Sequence, residues 1–291
     1  MQTKIDQFID YLANQRGRSM NTCDNYRHDL EKAAQFFVKN GIENWANVDQ
    51  YAAINFIAQL KTEQKAKTTI NRQISSLKQF FRYLLRTQQL STNPMDFIDR
   101  EKVATTSSPV VLTADEIKRL FHVPNVATTN GVRDRALLEL MYGTGMQVSE
   151  LINLKRDQVY LDLRILKLQS EADNQRIVPL GQFAVEWLGK YLAQTKNMAS
   201  PFVFLNRQGE PLSRQGIWKN FKSWVTKAEL DPSITPQALR QTYIADMIDH
   251  GSDWQAIQAL LGQKSQRAAN QYIHYQTKDL IKIFNQFHPR A

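Results

Sequence analysis

Three arginines spaced along one helical segment are the side chains whose arrangement most directly suggests chemistry. From Thr69 onward, Ile70, Ile74, Leu77, Phe81 and Leu84 step by four, three, four and three and form one apolar stripe. The same helix therefore carries Arg72, Ser75, Gln79, Arg82 and Arg86 as a second, polar row. A guanidinium fork matches the oxygens of a phosphate, so Arg72, Arg82 and Arg86 can face a nucleic-acid backbone. A solvated helix surface is the plain alternative for any one such row. An earlier segment repeats the pattern, with Tyr26, Leu30, Ala33 and Phe37 on the apolar side and Asn25, Arg27, His28 and Lys32 off it.

The charge balance points the same way. The 291 residues carry 37 Lys and Arg against 28 Asp and Glu, a net charge of +9, which favours a polyanionic partner; a merely basic surface is the rival reading. Other chemistries lack their residues. The single cysteine, Cys23, cannot form an internal disulfide or a cysteine-based zinc cluster and reads as helix filler. The five histidines show no H-x-x-x-H spacing, and there is no Walker or G-x-G-x-x-G loop, so neither a metal nor a nucleotide cofactor is expected. No stretch reaches 18 consecutive apolar residues, and the first residues lack a signal-peptide core, so the expectation is a cytoplasmic chain without a membrane partner.

The elements that must position these side chains fall into two groups. Residues 1–90 read as four helices, separated by polar breaks such as Arg16 to Ser19 and Asn40 to Gly41. Residues 91–112, with Asn93-Pro94, a Thr/Ser run and Pro109, lack sustained periodicity and read as a linker. Thr113-Ala-Asp-Glu116 is a capping box that opens a second domain, 113–291. There the pattern predicts a helix through Arg133 to Tyr142 and a small hairpin of strands, Arg164 to Leu168 and Arg176 to Leu180, around Glu171 to Asn174. It then predicts helices over Ala184 to Gln194, Ser213 to Ala228, Pro236 to His250, Trp254 to Leu261 and Ser265 to Tyr275, with Gly251 and Gly262 as stops. The fold class is mainly α with a small β-sheet in the C-terminal domain.

Three local patterns stand in order: Gly143-Thr-Gly-Met-Gln-Val-Ser-Glu-Leu151, Pro236-Gln-Ala-Leu-Arg-Gln-Thr-Tyr243, and Leu260-Leu-Gly-Gln263 with Tyr272 nine residues beyond. With Arg176-Ile-Val-Pro-Leu-Gly181 and the closing His288-Pro-Arg-Ala291, they make the chain resemble the tyrosine recombinases of the phage integrase family, Xer group, over nearly its whole length. The resemblance implies a two-domain, C-shaped clamp around duplex DNA, with helices entering major grooves. It also implies strand cleavage by a tyrosine hydroxyl through a 3′-phosphotyrosyl link, with no metal or ATP.

Such a reaction builds negative charge on a pentacoordinate phosphorus, so it needs fixed cations and a proton donor for the leaving oxygen. The family supplies two Arg, a hairpin Lys and two His or similar residues beside the Tyr. Mapped position by position, only Arg240, a phosphate clamp, and Tyr272, the nucleophile position, match. The first Arg is Gln147, the Lys is Glu171, and the two His are Gln237 and Gln263. Losing a charge clamp costs roughly 10³ to 10⁵ in rate by analogy with arginine fingers, and losing a general acid about 10² to 10⁴. The expectation is a DNA-binding protein with impaired cleavage that acts through binding or synapsis. The alternative is an active recombinase that still cuts and rejoins a dif-like site.

Three further residues are weaker candidates for filling the gaps. His274 is two residues from Tyr272 and so off its helical face, while Lys167 and Lys264 have stems long enough to reach but read first as surface charge. Tyr275 is a nearby decoy for Tyr272. In the tail, Leu280, Phe284 and Phe287 place an apolar stripe on a short helix over Thr277 to Phe287. The resemblance implies that this helix docks on a second copy or a second recombinase; packing back on its own domain is the alternative.

Overall fold

The computed structural model describes residues 1–18, 20–102, 109–169 and 175–262, and the chain divides into two compact units, Met1–Ser107 and Ser108–Ala291. The first unit contains α1 (Gln2–Asp10), which continues through a π-helical turn (Tyr11–Gln15), then α2 (Met20–Lys39), α3 (Gln50–Thr62) and α4 (Lys67–Arg86). These are the four helices that the periodicity predicts. The α4 stripe of Ile70, Ile74, Leu77, Phe81 and Leu84 is buried throughout. It packs on an aromatic cluster centred on Trp45, whose ring lies 4.7 Å from Phe80, 5.7 Å from Phe81 and 5.8 Å from Phe37 in edge-to-face contacts. Asn44 caps the short turn holding Trp45, and the indole N–H donates to the carbonyl of Met1 (3.1 Å), closing the core over the chain start. Cys23 is buried, as helix filler should be.

One polar contact ties α2 to α4. Asp29 is 1% exposed and accepts from Arg72 Nη1 and Ser76 Oγ, both at 2.7 Å. Burial pushes its carboxyl above the ordinary range, while Ser76 and Arg72 pull against that rise. Arg72 is therefore engaged by a buried carboxylate and does not form an open row with Arg82 and Arg86. The spacing could not show this, because an Asp 43 residues away in sequence claims the guanidinium.

The linker expected over 91–112 is shorter at both ends. Met95 and Ile98 are buried in the first core, and Asn93 folds the turn that delivers them, accepting from Met95 N (3.0 Å) and donating to Asp96 (2.8 Å). Asn71 on α4 holds Glu101 by its backbone at both ends, at 2.8 and 2.7 Å. Leu112 is buried in the second core and donates its N–H to Thr242 Oγ1 (2.9 Å). Two apolar side chains in a tight turn are too few to register as periodicity, so 93–98 reads as linker although Met95 and Ile98 are buried.

The second unit opens with α5 (Ala114–His122) behind the Thr113/Glu116 capping box, both of whose reciprocal bonds form. There follow α6 (Thr129–Thr144), α7 (Val148–Ile152), and the strands β1 (Val159–Tyr160), β2 (Ile165–Gln169) and β3 (Gln175–Pro179). After them come α8 (Gln182–Gln194), α9 (Arg214–Lys227), α10 (Pro236–Asp249) and α11 (Trp254–Leu261). The expected hairpin is two strands of a three-stranded antiparallel sheet in the order β1-β2-β3, with Leu166 opposite Val178 and Lys167 opposite Ile177. Two-residue β1 is too short to leave a period-two pattern. Leu166, Leu168 and Val178 face the core, whereas Ile177 is 59% exposed. Helix α6 packs against both α8 and α10 and buries residues on every side, including Arg133 and Glu139, so it has no amphipathic pattern. Gly251 and Gly262 end α10 and α11 with φ of +86° and +64°, as helix stops should.

The buried Asp29 gives a signed pH test. Folding raises its pKa, so its contribution to stability is complete below the ordinary value of 3.8 and is lost as pH rises through the raised folded value. Asp29→Asn removes that slope. The unfolding free energy of the Asp29→Asn variant relative to the unmodified chain is expected to climb from about pH 4 upward, as read by urea unfolding across pH. A difference that stays flat with pH would refute a raised Asp29.

Candidate functional site

In the first unit, Arg82 and Arg86 of α4 do share a face, and the fold adds two more cations to it. The chain leaves α1 through the π-helical turn and brings Arg16 and Arg18 alongside, so the four guanidinium groups border one cavity of about 310 Å³. Tyr11 and Tyr83 form its aromatic wall, their rings stacked at 5.0 Å. Arg16 Nε donates to the Tyr11 hydroxyl at 2.5 Å, and the Arg86 guanidinium sits 4.7 Å from the Tyr11 ring centroid. Burial acts to raise the Tyr11 pKa, but the hydrogen bonds and charges of Arg16 and Arg86 outweigh it and hold the phenol below its usual value. No Asp or Glu is among the described residues lining the cavity. Sequence reasoning missed Arg16 and Arg18 because they sit in the polar break between helices, where periodicity assigns no face.

In the second unit, the described candidate positions gather where α6, α7, α10 and α11 meet. Helix α6 ends at Gly145 with φ +61°, and a Cβ there would lie 2.6 Å from the Tyr243 ring and 2.8 Å from Leu261. Only glycine fits, both by conformation and by space. The carbonyl of Gly145 accepts from Arg240 Nη1, and Arg240 is 3% exposed. Gln237 lies three residues earlier on α10, on the same helical face, and is exposed.

Gln147, where the family pattern expects the first Arg, is the N-cap of α7. Its backbone N–H donates to Glu150 Oε2 (2.7 Å), its carbonyl accepts from Glu150 N (3.0 Å), and its side-chain Oε1 accepts from Ser149 Oγ (3.4 Å). Glu150 Oε1 also pairs with Arg176 Nη1 of β3 at 2.5 Å. Arg176 lies so close to the end of α11 that a Cβ on Gly262 would be 2.8 Å from its Nη1. This Glu150–Arg176 strut was missed: the capping spacing from Gln147 to Glu150 is legible in sequence, but its partner on the sheet is not. Lys167 is exposed on β2, with its ammonium 4.4 Å from the Tyr160 ring centroid. Glu171, Gln263, Lys264, Tyr272, His274, Tyr275 and the tail 277–287 lie outside the described residues.

Sequence models of known families match both units, the Phage integrase N-terminal SAM-like domain at residues 5–88 and the Phage integrase family at residues 110–279. Tyrosine recombinase XerD of Staphylococcus aureus (strain Mu50 / ATCC 700699) is 33% identical over 296 residues, covering 100% of both chains. The chain belongs to the phage integrase family of tyrosine recombinases. Among solved structures, the Tn1549 transposon integrase in complex with transposon right end DNA matches with a TM-score of 0.77 at 18% identity, covering 98% of each chain. XerH site-specific recombinase bound to a palindromic difH substrate matches with a TM-score of 0.74 at 18% identity, covering 97% of this chain and 83% of that one. At these identities the structures speak to the tyrosine recombinase fold alone. Among the described residues, no helix is long and apolar enough to cross a membrane, and no group of three His, Cys, Asp or Glu side chains could hold a metal.

The meeting point at Gly145 should be sensitive to a single methyl group. Gly145→Ala combines left-handed backbone strain with a clash against Tyr243 and Leu261. It is expected to lower unfolding free energy by roughly 2–5 kcal/mol, measurable by chemical denaturation. A loss below about 0.5 kcal/mol, the range of an ordinary surface substitution, would contradict the packing described.

Proposed function

We propose that this XerD-like member of the tyrosine recombinase family is a cytoplasmic DNA-binding protein whose strand cleavage is impaired, acting through duplex binding or synapsis. The observation that carries the reading is Gln147. The side chain at the first cationic position is a neutral, exposed amide at the start of α7. Glu171 in the hairpin and Gln237 and Gln263 at the two His positions weaken the site further. An uncharged amide still donates a hydrogen bond to phosphate, at about half the strength of a charged donor. Binding therefore outlasts catalysis.

In this reading the N-terminal helical domain meets the duplex through Arg82 and Arg86, while Arg72 is held by Asp29. The C-terminal domain holds the scissile region through Arg240, and the stripe of Leu280, Phe284 and Phe287 docks on a second copy or a second recombinase. The 33% identity to XerD over the full length supports a rival, an active recombinase at a dif-like site, with Tyr272 as nucleophile.

Cleavage is the property that divides the two. On a nicked suicide substrate the unmodified chain is expected to form no covalent adduct, and Tyr272→Phe is expected to leave duplex affinity within about twofold. An adduct that depends on Tyr272 would establish the rival. Restoring Gln147→Arg, Glu171→Lys, Gln237→His and Gln263→His together should bring adduct formation back if only the charges are missing.

Duplex affinity should fall steeply with salt, since log K scales with log salt by about −0.9 per phosphate neutralised. Removing both Arg82 and Arg86 should flatten that slope by about 2 on the same scale. Gel retardation or anisotropy from about 50 to 200 mM salt measures both, and a salt-independent or absent retardation would sink the duplex reading.

A further inference from the structure

The cavity bordered by Arg16, Arg18, Arg82 and Arg86 is more concentrated than a backbone-facing row requires. Four positive groups share one depression of about 310 Å³ with no carboxylate among its described lining residues. Elsewhere in this unit arginines pair with acids, as Arg27 does with Asp6 and Arg72 with Asp29. Cations this close lie within one Debye length, so each raises the energy of the others until an anion enters. A single phosphodiester brings one negative charge and leaves most of that repulsion in place. A diphosphate group carries about three and supplies oxygens for several guanidinium forks at once.

The shape also favours a compact ligand over a passing strand. The cavity volume lies at the lower end of the range of roughly 300 to 1,000 Å³ found for small-molecule sites. Tyr11, Tyr83 and the apolar side chains of Phe8 and Leu12 wall it, and Arg16 and Arg18 enter from the turn after α1, off the α4 row. Arg16 and Arg86 are both anchored on Tyr11, by a hydrogen bond and by stacking over its ring, so two of the four forks are already oriented.

We propose that this cavity is a binding site for a small diphosphate-bearing molecule, such as a nucleoside diphosphate. Because Arg82 and Arg86 belong also to the row assigned to DNA, its occupant competes with the duplex. Only that competition rests on the duplex-binding reading; the site itself does not.

The test titrates the full chain, free of DNA, with inorganic pyrophosphate against sodium chloride and sodium sulfate at matched ionic strength, using calorimetry and thermal unfolding. Saturable one-to-one binding and a rise in Tm beyond the salt controls are expected. Arg16→Gln with Arg18→Gln should weaken binding at least tenfold in a chain that still unfolds cooperatively, with the helical circular dichroism of the unmodified protein. Arg16→Lys with Arg18→Lys, which keeps the charge, should lose less, so a folding defect cannot mimic the result. Pyrophosphate should also release prebound duplex over its own binding range, and binding without release would overturn the competition. No saturable binding beyond matched salt would overturn the site. If pyrophosphate fails to bind and the Gln pair cuts duplex affinity tenfold, the cavity is a DNA-backbone contact and the proposal is wrong while the duplex reading stands. If pyrophosphate binds but no DNA is retarded, the site stands and the duplex reading falls.

Discussion

The meeting point of α6, α10 and α11 in the second unit is organised by the buried positive charge of Arg240. Taking the Arg240 guanidinium out of water costs several kcal/mol unless acceptors meet it. The carbonyl of Gly145 is one such acceptor, and it can be presented only because α6 stops in a left-handed turn. That turn lies against Tyr243, one turn further along α10, and against Leu261 at the end of α11, so the acceptor, the donor helix and the following helix fix each other. Helix α6, buried between α8 and α10 by its own apolar residues, carries the Gly145 carbonyl to Arg240 at its end.

From this charge outward, the two units differ in how they treat cations. Around the α7 end of the second unit each charge is met: Glu150 takes both the N-terminus of α7 and Arg176, and Gln147 offers dipoles but no charge. The N-terminus of α7 itself carries partial positive charge, so Glu150 there is favourably placed twice. In the first unit no carboxylate is among the described residues lining the cavity, whereas Arg27 and Arg72 pair with Asp6 and Asp29.

The sequence shows some of this and conceals the rest for identifiable reasons. The α4 stripe was legible because five apolar residues recur at helical spacing, and the Thr113 capping box because its partners are three residues apart. Arg240 stood out by its place in the Leu-Arg motif, but its burial against Gly145 is a contact across 95 residues. The same limit hid the bond between Arg72 and Asp29, which turns a surface candidate into a brace between α2 and α4. Arg16 and Arg18 were concealed differently: they lie in an irregular turn, where no periodicity tells which way a side chain points. Local rules found elements and caps, whereas every pairing that defines the candidate sites is long-range.

That distinction bears on why some family positions survive here and others do not. Gln147 and Gln237 are exposed, so exchanging a charged side chain for an amide at such positions disturbs no core. Arg240 is different, because removing its side chain would leave the Gly145 carbonyl without its donor in a buried setting, at a cost of about 1–3 kcal/mol. Arg240 is thus held by folding as well as by any phosphate, and its presence alone does not argue for cleavage. The exposed positions carry no such structural demand. Glutamine at 147 and 237 meets no packing demand, whereas the core requires the buried arginine and the glycine beneath it.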